Sequence, residues 1–311
     1  MTADYQTAAV AMAGIPLAFA ILYSIFGGIE FGLPLAALTH DKAGAARGRR
    51  YFSPIWESTN VFLVGVVAAV MTIFGAGLPI LSSLLQPLWL LAAGALAVRG
   101  ALIVGVFYGG WTNWTARVLL AVVSLAIPAV LIQNSTIMLT GDGDLLNHLG
   151  MVVALGTLAI SLAVALWAGY FYTPGKTTRD LARLGFWLAI MLSWFTLPLA
   201  IALDGSVLSD GRNVLSVMWP VYGLSLLAVL TLASEWRRRY WVASAVLTAG
   251  VAITLFVAQM PYLVRPTVLL TDMVTNGFSQ IWIATAFGLA VVVVVPVLFV
   301  LHRLVATDSR H

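Results

Sequence analysis

The chain has no cysteine among its 311 residues. That excludes disulfides, a CxxC redox pair, thiolate metal sites and a CxxCH haem attachment. Charge is scarce too, at 9% of residues, against roughly 25% in a soluble domain. No Lys or Arg precedes the first apolar run, "AAVAMAGIPLAFAIL", so a cleaved signal peptide is not expected. P-loop, GxSxG and HExxH patterns are all missing. The four histidines are His40, His148, His302 and His311. None falls at mid-membrane depth and no two lie one helical turn apart, so no haem or metal site is expected in this chain. The nine methionines are read as packing residues.

What remains is apolar. Hydrophobic residues make up 61% of the chain and the mean hydropathy is +0.99. This composition defines an all-α polytopic membrane protein, and residues 1–311 read as one membrane-embedded helical domain. A helix needs about 20 apolar residues to cross the hydrocarbon. That rule gives about nine spans, near 8–38, 53–81, 85–108, 115–138, 148–171, 183–203, 213–233, 241–260 and 279–302. "SSLLQP", "TGDGD", "YTPGKTTRD", "LDGSVLSDGRN" and "SEWRRRY" read as separators, and "PYLVRPTVLLTDMVTNG" as a long connection before the last span. No internal repeat stands out.

The basic residues orient the array. If residues 39–52 are cytoplasmic, the inside holds Lys42, Arg47, Arg49, Arg50, Arg117, Lys176, Arg179, Arg183, Arg237, Arg238, Arg239, Arg303 and Arg310. The outside holds only Arg212 and Arg265, and Arg99 lies within a span. This asymmetry places the N-terminus outside and the C-terminus in the cytoplasm. The same reading explains the pI of about 9.6 without nucleic-acid binding.

Two of the 12 acidic residues fall inside spans, Glu30 and Glu57. With a 1.5 Å rise per residue, Glu57 lies about 6 Å from the cytoplasmic end of its span, Glu30 about 12 Å and Arg99 about 13 Å. Ionisable groups at graded depth on three consecutive helices suit a proton route from the cytoplasm. Glu57 is followed by Ser58, Thr59 and Asn60. Four polar residues in a row wrap most of the way round a helix, so no single face can hold them all. A plainer reading makes Ser53 the N-cap, Pro54 the first helical residue and Glu57 an acid at the positive end of the helix dipole. Glu30 has a plainer reading as well, as a structural ion pair with Arg99. Pro34 removes the amide that would bond the Glu30 carbonyl, so "FGGIEFGLP" is a loosened helix suited to close packing or to a polar ligand.

"SPIWESTNVFLVGVVAAVMTIF" resembles the second helix of subunit II of cytochrome bd-type quinol oxidases, typically G-P-x-W-D-G-N-(E/Q)-V-W-L. Pro54, Trp56, Glu57 and Val61 match in place and kind. "FGGIEFGLPL" resembles that family's D-G-F-D-x-G segment, with Gly28, Glu30 and Gly32 in register. Arg99 falls where the family has an arginine, and "AQMPYLVRP" with the final helix resembles the family's proline-flanked connection and last span. Gly27 stands where the family usually has Asp, Thr59-Asn60 replaces Asn-Glu/Gln, Phe62 replaces Trp, and no carboxylate follows Arg99 at five residues. The chain reads as a divergent member.

The resemblance implies two four-helix bundles plus one peripheral helix. It implies a subunit without haem that completes a heterodimer with a haem-bearing subunit I. Haems of b and d type belong to that partner, quinol and O2 are the substrates of the complex, and protons for water formation come from the cytoplasm. Glu57, Glu30, Arg99, Ser58, Thr59 and Asn60 are the candidate proton-path residues. The resemblance also allows a structural quinone in this subunit and a small single-helix third subunit. The setting is the cytoplasmic membrane of a bacterium or archaeon, with lipid as a partner and no nucleic acid. The competing class is an ion-coupled secondary transporter with Glu30, Glu57 and Arg99 as its coupling site. A pure assembly scaffold is a third reading.

Overall fold

A computed structural model describes residues 3–38, 42–144, 149–170, 176–203, 222–231, 240–274 and 277–308. Long apolar runs must satisfy every backbone polar group internally, and helices do so. The chain accordingly runs through α1 (Ala3–Gly32), α2 (Pro34–Leu38), α3 (Lys42–Ile73), α4 (Leu78–Ile103), α5 (Trp114–Thr140), α6 (Leu149–Tyr170) and α7 (Lys176–Leu203). It continues through α8 (Tyr222–Thr231), α9 (Tyr240–Gln259), a hairpin of β1 (Tyr262–Val264) and β2 (Val268–Leu269), α10 (Leu270–Met273) and α11 (Gly277–Asp308). Six helical segments among the described residues are long and apolar enough to cross a membrane. Helices α7, α8 and α11 occupy the places expected for the sixth, seventh and ninth spans.

Helices α1, α3, α4 and α5 pack on one side, and α6, α7, α8 and α9 on the other. Contacts of α6 with α1 and α5 join the two groups, and α11 lies along α3. The largest apolar core surrounds α6, where Leu155, Leu158 and Ala165 meet Phe186 of α7, Val229 of α8 and Leu247 of α9. A second core lies where Ala9, Met12, Ile73 and Leu81 meet the β-hairpin residues Leu263 and Val264. Large apolar side chains stand exposed on α3, α4, α7 and α11, as expected of a chain covered by lipid or by another subunit.

Several boundaries differ from the sequence reading. "SSLLQP" does not separate two helices; it lies inside α4. The break comes earlier, at a 3-10 turn over Gly75–Gly77. Ser82 and Ser83 turn their hydroxyls back onto the carbonyls of Pro79 (3.0 Å) and Ile80 (2.8 Å), so neither opens the helix. Pro87 is accommodated within the helix, as membrane helices allow. The apolar part of the second span runs over Ile55–Ile73, close to the expected start, but the helix itself does not begin at Ser53 and Pro54. Helix α3 begins at Lys42, so much of the basic segment 39–52 is helical. All of the separator "LDGSVLSDGRN" after Leu203 and most of "SEWRRRY" lie outside the described residues.

The connection before the last helix is ordered. Gly141 ends α5 at φ +70°, the left-handed conformation that suits glycine, and its amide bonds the Ile137 carbonyl at 2.7 Å. The Met138 carbonyl accepts from the Arg265 amide (2.9 Å) and from Gln259 Nε2 (2.7 Å). These bonds fasten the β1–β2 hairpin to the end of α5. A cis Met260–Pro261 bond precedes the hairpin and a cis Arg265–Pro266 bond lies in its turn.

Candidate functional site

The loosened end of α1 positions the site. Helix α1 stops at Gly32, and α2 starts at Pro34, as the missing amide of Pro34 requires. Close packing sets this end against α6. A Cβ on Gly32 would lie 2.3 Å from Trp167 Cβ and 2.8 Å from the Ala163 carbonyl oxygen, and one on Gly28 would lie 2.5 Å from Leu166 Cδ1. Residues 28 and 32 sit one turn apart, so their face of α1 can approach α6 only without side chains.

Glu30 points elsewhere, into the space between α1, α4 and α5. Its Oε1 accepts a short hydrogen bond from Arg99 Nη1, closing a salt bridge. Arg99 Nη2 donates to the Glu30 backbone carbonyl at 3.0 Å, and Arg99 Nε donates to Ser124 Oγ at 2.9 Å. One guanidinium therefore holds the carboxylate, the carbonyl that Pro34 leaves short of its helical partner, and a hydroxyl on the next helix. The ring of Phe31 packs against it, 5.0 Å from Cζ to the centroid. Glu30 and Arg99 are each only 2% exposed. Each ion of so deep a pair loses its hydration, a cost that their attraction and the further hydrogen bonds of the guanidinium offset. Tyr23 meets Phe31 edge-on with centroids 6.3 Å apart. Tyr23 Oη and Glu30 Oε2 are buried and have no hydrogen-bond partner among the described residues.

The polar run of α3 divides in two. Ser58 and Thr59 turn into the bundle and are buried, and Thr59 donates to the Ile55 carbonyl at 2.8 Å. Glu57 and Asn60 turn outward. They share an exposed face with Trp56, Val61, Val64, Val67 and Met71, spaced as one stripe of a helix. Glu57 is also well inside α3, about four turns from Lys42, so the helix-end reading with Ser53 as N-cap does not hold. The macrodipole acts mainly within the first turn. Where α1 and α3 pack, a Cβ on Gly27 would lie 3.6 Å from Thr59 Cγ2.

Of the six candidates, the structure joins Glu30 and Arg99 directly. It buries Ser58 and Thr59 in the same helix group and leaves Glu57 and Asn60 on its outer face. Sequence reasoning missed Ser124, Phe31 and Tyr23. One signal for Ser124 was present: like Glu30, it lies four residues before a proline, here Pro128. No group of three His, Cys, Asp or Glu among the described residues could hold a metal ion. The side chains of all four histidines lie outside the described residues.

Fold and site define a multi-pass helical membrane protein with a buried ion pair near one end of its first helix and a carboxylate on a lipid- or partner-facing stripe. The sequence profile of the cytochrome bd terminal oxidase subunit II family matches residues 8–305, and the chain belongs to that family. It is thus a subunit of a respiratory quinol oxidase complex, an assembly that contains haems. The fold is similar to a chain of the bd oxidase from Geobacillus thermodenitrificans, with a TM-score of 0.78 and 22% identity over 96% of this chain and 98% of that one. No curated protein sequence matches it.

Proposed function

We propose that this chain is the subunit II without haem of a heterodimeric quinol:O2 oxidoreductase, and that α1, α3 and α4 supply its cytoplasmic proton-uptake route. The observation that carries the second part is the contrast between the two carboxylates. Glu57 stands on the exposed stripe of α3, and Glu30 lies buried on the neighbouring α1 with one oxygen held by Arg99 and the other without a partner among the described residues. A carboxylate left facing hydrocarbon would be costly, so Glu57 belongs against a partner subunit or a shared wet crevice. There it takes protons from cytoplasmic water. Glu30 lies deeper in the same direction, and its second oxygen can accept a hydrogen bond from water or from a partner group. Arg99 fixes the first oxygen and keeps the carboxylate in place. Bound haems in the partner would carry electrons from quinol to O2. The orientation follows the charge asymmetry, with the N-terminus outside and the C-terminus in the cytoplasm.

Purification of the tagged chain from its own membranes in mild detergent tests the assembly. The expected product is a complex with a visible haem spectrum and a His-bearing helical partner identified by mass spectrometry. Recovery of the chain as a folded, monodisperse single subunit would contradict the obligate-subunit reading.

A further inference from the structure

We propose that an apolar seal closes the Glu30–Arg99 pair to water arriving straight along the bundle from the cytoplasm. The pair is then reached only sideways, from α3, and a proton bound for Glu30 passes the Glu57 helix first. The inference rests on the uptake route and the orientation proposed above. Its ground is what lies on the cytoplasmic side of the pair, on each of the three helices that hold it. One turn nearer the cytoplasm stand Leu33 after Glu30, Leu102 after Arg99 and Leu120 before Ser124, at 2%, 7% and 0% exposure. A turn further on stand Ala37, Phe107 and Ala116, again all buried. On α4 and α5, spacings of three, four and eight residues keep each on the face that carries Arg99 or Ser124. Leu33 and Ala37 hold the corresponding places where α1 passes into α2. All but Ala116 belong to one continuous apolar core. Arg99 and Phe107 are eight residues apart, so the seal is about 12 Å deep on α4. Space lined in this way stays dry, and a dry apolar constriction stops water and ions.

The side towards α3 is built differently. Among the described residues, α3 and α4 do not pack along their lengths and are joined through the 3-10 turn Gly75–Gly77. Ser58 and Thr59 bring hydroxyls into the bundle from α3. A Cβ on Gly27 would lie 3.6 Å from Thr59 Cγ2 and 3.1 Å from Phe31 Cε2. The Phe31 ring therefore reaches from the contact of α1 with α3 to the Arg99 guanidinium, 5.0 Å from its centroid. One aromatic ring stands between the hydroxyl-bearing face of α3 and the pair, against two apolar layers in the direction of the cytoplasm. Insulating Glu30 in that direction gives Glu57 control of entry.

The test uses the assembled oxidase and opens the seal. Leu102→Ser with Leu120→Ser gives water a way in from the cytoplasm that avoids α3. Added to Glu57→Gln, whose turnover per haem should be about tenfold low, the two serines should raise the rate by roughly threefold or more. A triple variant as slow as Glu57→Gln overturns the proposal. If Glu57→Gln alone runs at the wild-type rate, the uptake route itself falls instead. Should the serine variants fail to assemble, thiol labelling decides. The chain has no cysteine, so one introduced thiol is the only one it carries. Inverted membrane vesicles carrying Leu102→Cys, Leu120→Cys or Asn60→Cys are treated with a small, membrane-impermeant methanethiosulfonate, and the mass of this chain is read. Leu102→Cys and Leu120→Cys should react about tenfold more slowly than Asn60→Cys or not at all, since a buried thiol is inert. Labelling of either leucine position as fast as Asn60→Cys overturns the proposal, and an unreactive Asn60→Cys removes the wet crevice on which the uptake route depends.

Discussion

Replacing Glu30 by leucine would leave the Arg99 guanidinium buried with its counter-ion gone. Two of its hydrogen bonds would survive, from Nε to Ser124 Oγ and from Nη2 to the residue-30 carbonyl. Nη1 would lose its acceptor. Breaking a buried pair by removing one partner costs about 3–5 kcal/mol, because the remaining charge is uncompensated. At about 2–4 °C per kcal/mol, the midpoint of thermal denaturation should fall by about 6–20 °C. Tryptophan fluorescence of the purified complex reads this directly. Arg99→Met should cost as much, since it strands the carboxylate. The double variant Glu30→Leu/Arg99→Met should recover most of the loss, because both desolvated charges are gone. Recovery should stop short of complete, since Ser124 Oγ and the residue-30 carbonyl lose their donor; the Leu33 amide still reaches that carbonyl at 3.2 Å. A Glu30→Leu midpoint within about 2 °C of wild type would refute the reasoning. A double variant no more stable than either single would refute it equally.

Three other outcomes follow from the packing and the charge pattern. Gly32→Ala drives a methyl against Trp167 Cβ and the Ala163 carbonyl, both fixed, and should destabilise the complex by about 1–3 kcal/mol or prevent assembly; Gly28→Ala meets the movable tip of Leu166 and should do less, as thermal midpoints of the two variants will show. Gly141→Ala combines a left-handed backbone with a Cβ 2.0 Å from the Arg265 carbonyl oxygen, so the hairpin should detach from α5, read as faster proteolysis or hydrogen exchange at residues 260–270. Reporter fusions should place the N-terminus outside and the C-terminus in the cytoplasm, and finding both ends on one side would break the topology.

Glu30 and Arg99 were legible in the sequence because charges inside apolar runs are few and must find each other or water. Pro34 marked the loosened carbonyl, though not its use as an acceptor for Arg99. The start of α3 was not legible. Ser53-Pro54 has the chemistry of an N-cap, but "KAGAARGRRYF" is rich in helix formers, and a helix can continue past the hydrocarbon edge where apolarity stops. "SSLLQP" misled for the opposite reason, since serines that bond their own helix and a proline inside a membrane helix look like a loop by composition. The polar run 57–60 had to divide between faces on geometry alone, and the structure fixes which residue goes where. The site's aromatic wall of Tyr23 and Phe31 left no mark, because aromatic residues in an apolar span read simply as packing. The family emerged from short motifs in order, and its profile spans residues 8–305.

The central claim is that Glu57 takes up protons for the reaction of the complex. The most direct test is steady-state oxygen reduction by the assembled oxidase carrying Glu57→Gln, normalised to haem content and followed from about pH 6 to pH 9. The account predicts full assembly with turnover roughly tenfold lower or more, and Glu57→Asp retaining much more activity. A Glu57→Gln enzyme with complete haem content and the wild-type rate across that range would contradict it, and would leave Glu57 as a polar residue at a subunit boundary with no part in proton transfer.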